Sequence, residues 1–172
     1  MLPVEKQGMI FVDFNAFFSL ARKNFKKTPM LKIDIDSIIP HREPIKIVSE
    51  VLDAQDDSGI VAAVVKPTWP LYKDGGVNSL VLIEAVAQTA AIIEGYKRNK
   101  QGKSAVKGWM VGIKNAQFNV EKIPANTRLI INVNSKYSLD NYAVVEGIIK
   151  SGEDILATVV LQALRLNEED SK

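Results

Sequence analysis

The most informative segment of the chain is Ser79-Leu-Val-Leu-Ile-Glu-Ala-Val-Ala-Gln-Thr-Ala-Ala-Ile-Ile93. Eleven of its fifteen residues are Leu, Val, Ile or Ala, and they are distributed around the whole circumference of a helix. A helix that is apolar all round must be buried on most of its sides. Asn78 or Ser79 supplies a side chain that can cap its first turn. After Gly95 the chain becomes basic and polar, so we expect a loop over residues 97–103.

Segments with strand character lie on both sides of this helix. Before it, two runs rich in Ile and Val are separated by Asp-Asp-Ser-Gly at positions 56–59, which predicts a β-hairpin. Residues 31–39 are expected to form a short helical turn, and residues 67–78 an irregular segment with three turn signals. Four further strands follow the helix and are predicted to form a meander. The predicted strands are Ile45–Leu52, Gly59–Lys66, Val106–Val120, Thr127–Ser138, Tyr142–Lys150 and Asp154–Leu166.

This order of elements favours an α+β architecture. A helix that is apolar all round needs a sheet curved around it, whereas a doubly wound α/β fold would alternate strands and helices. We therefore predict the hotdog fold, in which an antiparallel β-sheet wraps around one long central helix. The predicted domain covers residues 30–167, with an N-terminal extension over 1–29 and a flexible tail over 168–172.

The extension combines phenylalanines near helical spacing with a basic cluster from Arg22 to Lys27. We expect a short helix laid against the body or a partner subunit, and the alternative is a membrane-surface anchor. No apolar run reaches the roughly 18 residues that a membrane span needs. The positive charges follow the apolar stretch, whereas a secretory signal carries them in front of it. A cytoplasmic protein is therefore expected.

The composition narrows the possible chemistry. Lys and Arg number 22 and Asp and Glu 20, so the net charge of +2 gives no electrostatic reason to expect nucleic acid or an anionic membrane. The chain has no cysteine and one histidine, His41, so a multi-histidine or cysteine metal centre is not expected, and neither is a cofactor. Chemistry must then use carboxylates, hydroxyls, amides, backbone dipoles and that imidazole.

Glu84 is the one charged residue between Ser79 and Ile93. An ionised carboxylate is costly in apolar surroundings unless it is paired. Gln88 lies one turn later on the same helix face and can donate a hydrogen bond to it. Free backbone N–H groups near Asn78 and Ser79 could hold a developing oxyanion. The pattern suits proton abstraction beside a thioester carbonyl, and the alternative is a structural glutamate at a gap in the sheet.

Four segments of the chain resemble the FabZ-type 3-hydroxyacyl-ACP dehydratases. Ile-Pro-His-Arg-Glu-Pro at 39–44 is similar to the family's LPHR-x-P strand, and Ile-Glu-Ala-Val-Ala-Gln at 83–88 to its helix motif. Residues 110–118 resemble the following strand, and residues 145–164 the closing hairpin. The resemblance implies a hotdog dimer or larger oligomer that holds an acyl chain in a tunnel at the subunit interface. The same resemblance implies binding of the phosphopantetheine arm that carries this chain on an acyl carrier protein. It also implies that Glu84 is the catalytic glutamate.

The chain departs from the family pattern at the catalytic histidine. The family places it fourteen positions before the glutamate, where this chain has Pro70. Such loops resemble the divergent dehydratase-like proteins of aryl-polyene clusters, which can associate with another hotdog subunit. His41 could replace the missing imidazole, since an imidazole exchanges protons at neutral pH; alternatively it anchors the turn by hydrogen bonds. On the altered loop, Tyr72 and Asp74 are candidates for substrate contacts, and Trp69 and Tyr72 could line an acyl tunnel or pack on the core.

These observations predict a dehydratase-like lyase that acts on 3-hydroxyacyl thioesters of a carrier protein or coenzyme A. Glu84 and His41 are its predicted catalytic residues, and Asn78, Ser79, Gln88, Trp69, Tyr72 and Asp74 its predicted substrate-binding residues. The alternatives are a non-catalytic acyl-binding or partner subunit of a hotdog dehydratase, and an acyl thioesterase. The basic segment Lys97 to Lys103 could dock an acidic carrier protein or be a plain solvated turn.

Overall fold

Nine strands form two antiparallel sheets in the computed structural model, which describes residues 33–104 and 106–166. The predictions made for the extension over 1–29 and for the tail over 168–172 lie outside these residues. The strands are β1 (Glu50–Ala54), β2 (Ser58–Val64), β3 (Tyr72–Lys73), β4 (Gly76–Asn78), β5 (Gly108–Phe118), β6 (Lys122–Pro124), β7 (Arg128–Leu139), β8 (Tyr142–Ser151) and β9 (Asp154–Arg165).

The larger sheet has six strands in the order β1-β2-β7-β8-β9-β5. The predicted hairpin of β1 and β2 is present, and β7, β8 and β9 are consecutive antiparallel neighbours. The prediction of one meander after the helix is wrong, because β5 pairs with β9 at the far edge. The chain leaves the large sheet after β5, pairs with β4 through β6, and re-enters beside β2 as β7.

The central helix, α2 (Val81–Lys100), is longer than predicted. It follows the single turn α1 (Ile35–Ile38), which buries Ile35 as expected. The predicted loop after Gly95 is wrong, because Lys97 and Lys100 continue α2 and donate hydrogen bonds to Asp57 and Asp56 in the β1–β2 turn. Within the described ranges, no helix has both the length and the apolar character needed to cross a membrane.

Two further differences concern the segments before α2. β1 begins at Glu50 rather than Ile45, because the amides of Ile47 and Val48 face the Gln88 side chain instead of a neighbouring strand. The segment predicted to be irregular contains β3 and β4, which pair with each other and, through β4, with β6. Strands of two and three residues are too short to show a periodic pattern in the sequence.

The core lies between α2 and the large sheet. Leu82, Ala85 and Val86 are fully buried against β-strand residues such as Ile131 and Ile149. Gly147 in β8 permits this approach, since a Cβ there would overlap the Val86 side chain. The helix is not buried all round, however, because Ala87 and Ala90 are partly exposed and Ala91 is exposed. The predicted hotdog fold, with one central helix against an antiparallel sheet, is confirmed.

Candidate functional site

A cavity of about 730 Å³ lies beside the partly exposed face of α2. Three alanines of α2 line it, and because their side chains end at Cβ they leave open space next to the helix. The opposite wall comes from β5, β7, β8 and β9, and the segment from Asp36 to Arg42 closes one side. The lining includes Glu84, Ala87, Ala90, Ala91, Glu94, Trp109, Met110, Val133, Val145, Leu161 and Arg165.

Glu84 reaches this cavity from the first turn of α2. Its side chain is 31% exposed, so the carboxylate is neither sealed in the core nor free in bulk solvent. Gln88 Nε2 donates a hydrogen bond to Glu84 Oε1 at 2.8 Å, which is the contact predicted from their spacing. A side chain of the same helix therefore orients one carboxylate oxygen of Glu84.

Gln88 is fully buried and joins α2 to the segment that precedes β1. Its Nε2 also donates to the Ile45 carbonyl at 2.8 Å. Its Oε1 accepts from the amide of Ile47 at 3.0 Å and from that of Val48 at 3.4 Å. The same side chain thus orients Glu84 and positions the residues that follow His41.

Replacing Gln88 with Met is expected to lower the free energy of unfolding by about 1–3 kcal/mol. The reason is that the buried carbonyl and amide groups it now bonds would lose their partners. Urea denaturation measures the change. Gln55→Met is the matched control, because Gln55 bonds Asp53 on the exposed surface and its loss should cost no more than about 0.5 kcal/mol. Equal losses in the two variants would contradict the bridging role.

The structure brings His41 next to Glu84. His41 Nε2 lies 3.4 Å from Glu84 Oε1, and the His41 side chain is 32% exposed. Both residues line the cavity. His41 Nδ1 is buried and has no hydrogen-bond partner among the described residues. Nε2 is therefore the ring nitrogen of His41 that lies near the Glu84 carboxylate.

Arg42, rather than the imidazole, makes the side-chain hydrogen bonds that hold the turn around His41. Its Nη1 donates to the carbonyls of Ile39 and His41, at 2.9 and 2.8 Å, and its Nη2 donates to the carbonyl of Asp36 at 3.0 Å. Lys46 donates to the Asp36 carboxylate, and this hydrogen bond lowers the pKa of Asp36. Arg42 therefore makes the hydrogen bonds that hold this turn. The contact between His41 and Glu84 fits both the catalytic role and the alternative anchoring role of His41.

The backbone at the start of α2 differs from the expectation. The amides of Asn78 and Ser79, predicted to be free, donate to the carbonyls of Leu71 and Glu121. The Asn78 side chain caps the helix start by accepting from the Leu80 amide at 2.9 Å. The two amides are therefore already used and are not available to hold an oxyanion.

The aromatic and acidic candidates of the altered loop lie away from the cavity lining. Trp69 is 3% exposed and packs in the core, with Tyr72 against the same cluster. Asp74 and Gly75 have positive φ values in the turn between β3 and β4, as the turn signature predicts. Trp69, Tyr72 and Asp74 are all absent from the lining of the described cavity.

The basic segment from Lys97 to Lys103 includes the C-terminal end of α2, where two lysines form ion pairs. Lys97 lies 3.1 Å from Asp57, and Lys100 lies 2.7 Å from Asp56. The hydrogen bond between Lys100 and Asp56 raises the pKa of Lys100 and lowers the pKa of Asp56. Docking of a carrier protein on this segment stays a prediction, now for a helix end rather than a loop.

Sequence reasoning missed the far part of the cavity. Ala87, Ala91 and Glu94 recur at helical spacing from Glu84, and this pattern could have indicated a helix face without bulky side chains. Arg165, which pairs with Glu94, could not be found in this way because 71 positions separate the two residues.

The arrangement can move protons. A carboxylate and an imidazole on one cavity wall can remove one proton from a bound molecule and deliver another to it. Within the described residues, no group of three or more acidic or histidine side chains could hold a metal ion.

Curated relatives and solved structures are similar to this chain. A 3-hydroxyacyl-[acyl-carrier-protein] dehydratase FabZ of Xylella fastidiosa is 26% identical over 136 residues, which cover 75% of this chain and 84% of the relative. A chain of the dehydratase heterocomplex ApeI:P from Xenorhabdus doucetiae superposes with a TM-score of 0.73 at 20% identity, over 80% of this chain and 93% of that one. A hypothetical thioesterase protein with coenzyme A from Streptococcus pneumoniae has a TM-score of 0.53 at 14% identity, over 69% of this chain and 85% of that one.

The structural similarities establish the shared fold, and the family comparison goes further. The family described as ApeP-like, ApeP dehydratase, matches residues 33–171. This match confirms the predicted relationship to a divergent branch of the FabZ-type hotdog dehydratases. The chain belongs to the ApeP-like dehydratase family.

Proposed function

We propose that this protein removes water from 3-hydroxyacyl thioesters carried by an acyl carrier protein, with Glu84 and His41 as the reacting pair. The observation that carries the proposal is the distance of 3.4 Å between His41 Nε2 and Glu84 Oε1 on the wall of an open cavity. His41 thus supplies the imidazole that the chain lacks at the family's usual position, Pro70.

The reaction needs two proton transfers. The Glu84 carboxylate takes a proton from C2 of the acyl chain, using the oxygen that does not accept from Gln88. The protonated imidazole of His41 donates its proton to the C3 hydroxyl, which leaves as water while the C2–C3 double bond forms. The products are the 2-enoyl thioester and water. Transfer of the proton from Glu84 to His41 then restores both groups.

A second proposal concerns assembly with another hotdog subunit. β5 is the edge strand of the large sheet, and Trp109, Met110, Val111 and Ile113 on it are all about half exposed. An unpaired edge with apolar side chains is a template for pairing with another chain. We propose that β5 pairs with a second hotdog subunit, either a copy of this chain or a homologous one. If only the mixed assembly is active, this chain is the partner subunit.

Turnover assays test these proposals. The purified protein, alone and mixed with a second hotdog subunit, is incubated with a 3-hydroxyacyl carrier-protein thioester. Mass spectrometry of the carrier then follows loss of water, a thiol reagent follows hydrolysis, and light scattering gives the assembly mass. We expect enoyl product without thiol release. Thiol release without enoyl product would replace the proposal with a thioesterase, and no reaction in either preparation would contradict it.

A further inference from the structure

A second carboxylate reaches the cavity from the same face of α2. Glu94 Oε1 lies 2.9 Å from Arg165 Nη1, and the two side chains are 30% and 32% exposed. The β7–β8 turn holds Arg165, whose Nη2 donates to the carbonyl of Asp140 and whose backbone amide donates to the carbonyl of Asn141. The ion pair therefore has a fixed position on the cavity wall.

Between its two carboxylates, α2 contributes only apolar side chains to the cavity lining. Glu94 lies ten positions after Glu84, which corresponds to a length of about 15 Å along the helix axis. These apolar side chains are Ala87, Ala90, Ala91 and Ile93, and the sheet contributes Val133, Val145 and Leu161 together with Ser135 and Ser138 to the lining. Beyond Glu94 the lining becomes charged, with Lys97 and Asp57.

We propose that the Glu94–Arg165 pair sets the length of the acyl chain that the cavity accepts. This inference rests on the proposed function, because it takes the ligand to be an acyl chain with its thioester at Glu84. Each methylene that enters the apolar part gains free energy by leaving water. A chain that reaches the ion pair would have to displace water from two charges without replacing their hydrogen bonds, which is unfavourable.

The test is a binding series with saturated acyl thioesters of N-acetylcysteamine, from hexanoyl to hexadecanoyl. Binding is measured by displacement of a fluorescent apolar dye from the intact protein. We expect affinity to rise about fourfold with each added methylene. The rise should stop at the chain length whose extended form spans about 15 Å, the distance between the two carboxylates along α2. This chain length is called the break.

Variants locate the cause of this break. In the double variant Glu94→Leu with Arg165→Leu, the break should move to longer chains, because the acyl chain no longer has to displace water from a charged pair. Glu50→Leu with Arg128→Leu is the matched control, since it removes an Arg–Glu pair of 3.0 Å that does not line the cavity. Ala91→Leu adds volume to the wall without touching the pair and should move the break to shorter chains.

Three results would overturn the inference: no break in the unmodified protein, the same break in the Glu94–Arg165 double variant, or the same break in Ala91→Leu. The last variant keeps the test decisive if the double variant does not fold. Failure of the proposed function is distinguishable, because the binding series requires no turnover. A break without dehydration contradicts only the proposed reaction, and dehydration without a break contradicts only the length limit.

Discussion

Replacing Glu84 with Gln is expected to slow dehydration of a 3-hydroxyacyl thioester by a factor of about 100 to 10,000. The amide has nearly the shape of the carboxylate and its oxygen can still accept from Gln88, so the site keeps its geometry. It cannot accept the proton from C2. The loss should therefore appear in kcat, measured as the rate at saturating substrate, with little change in the unfolding midpoint.

Glu146→Gln is the matched control for this variant. Glu146 is a similarly exposed carboxylate, paired with Lys136 at 2.6 Å, and it does not line the cavity. Its replacement should leave the rate within about twofold, because Glu146 does not line the cavity. The loss of a surface ion pair should also change the stability little. A Glu84→Gln enzyme as active as Glu146→Gln would exclude the carboxylate as the base.

Replacing His41 with Gln is expected to slow dehydration by a similar factor, about 100 to 10,000, since the leaving hydroxyl loses its proton donor. Glutamine can fill part of the space near Glu84 but cannot donate a full proton. The loss should appear in the rate at saturating substrate. A His41→Gln enzyme as active as the unmodified protein would exclude the imidazole as the donor.

Hydrogen exchange separates the two roles. A saturated acyl thioester has no hydroxyl to expel, so in deuterated water the enzyme can only exchange its C2 protons. We expect His41→Gln to retain this exchange and Glu84→Gln to lose it, because the carboxylate alone contacts the C2 proton. If both variants retain exchange, or if His41→Gln alone loses it, the assignment of base and acid is wrong.

Much of the fold could be predicted because its signals are local. The apolar helix, the β1–β2 hairpin and the three strands near the C-terminal end follow from periodicity and turn residues in continuous stretches. Predictions failed where a contact from elsewhere in the chain decided the outcome. Asp56 and Asp57 extend α2 by pairing with its lysines, and Gln88 replaces the sheet partner of residues 47 and 48.

In the candidate site, too, one part could be predicted from local sequence and another part could not. An apolar helix that carries Glu84, with Gln88 one turn later, could be inferred from local sequence, because a helix places residues four apart on one face. The contacts of His41 with Glu84 and of Arg165 with Glu94 join residues 43 and 71 positions apart and become visible in the folded chain. Such pairings depend on how the turn before β1 and the end of β9 pack against α2, and no local pattern of residues encodes that packing.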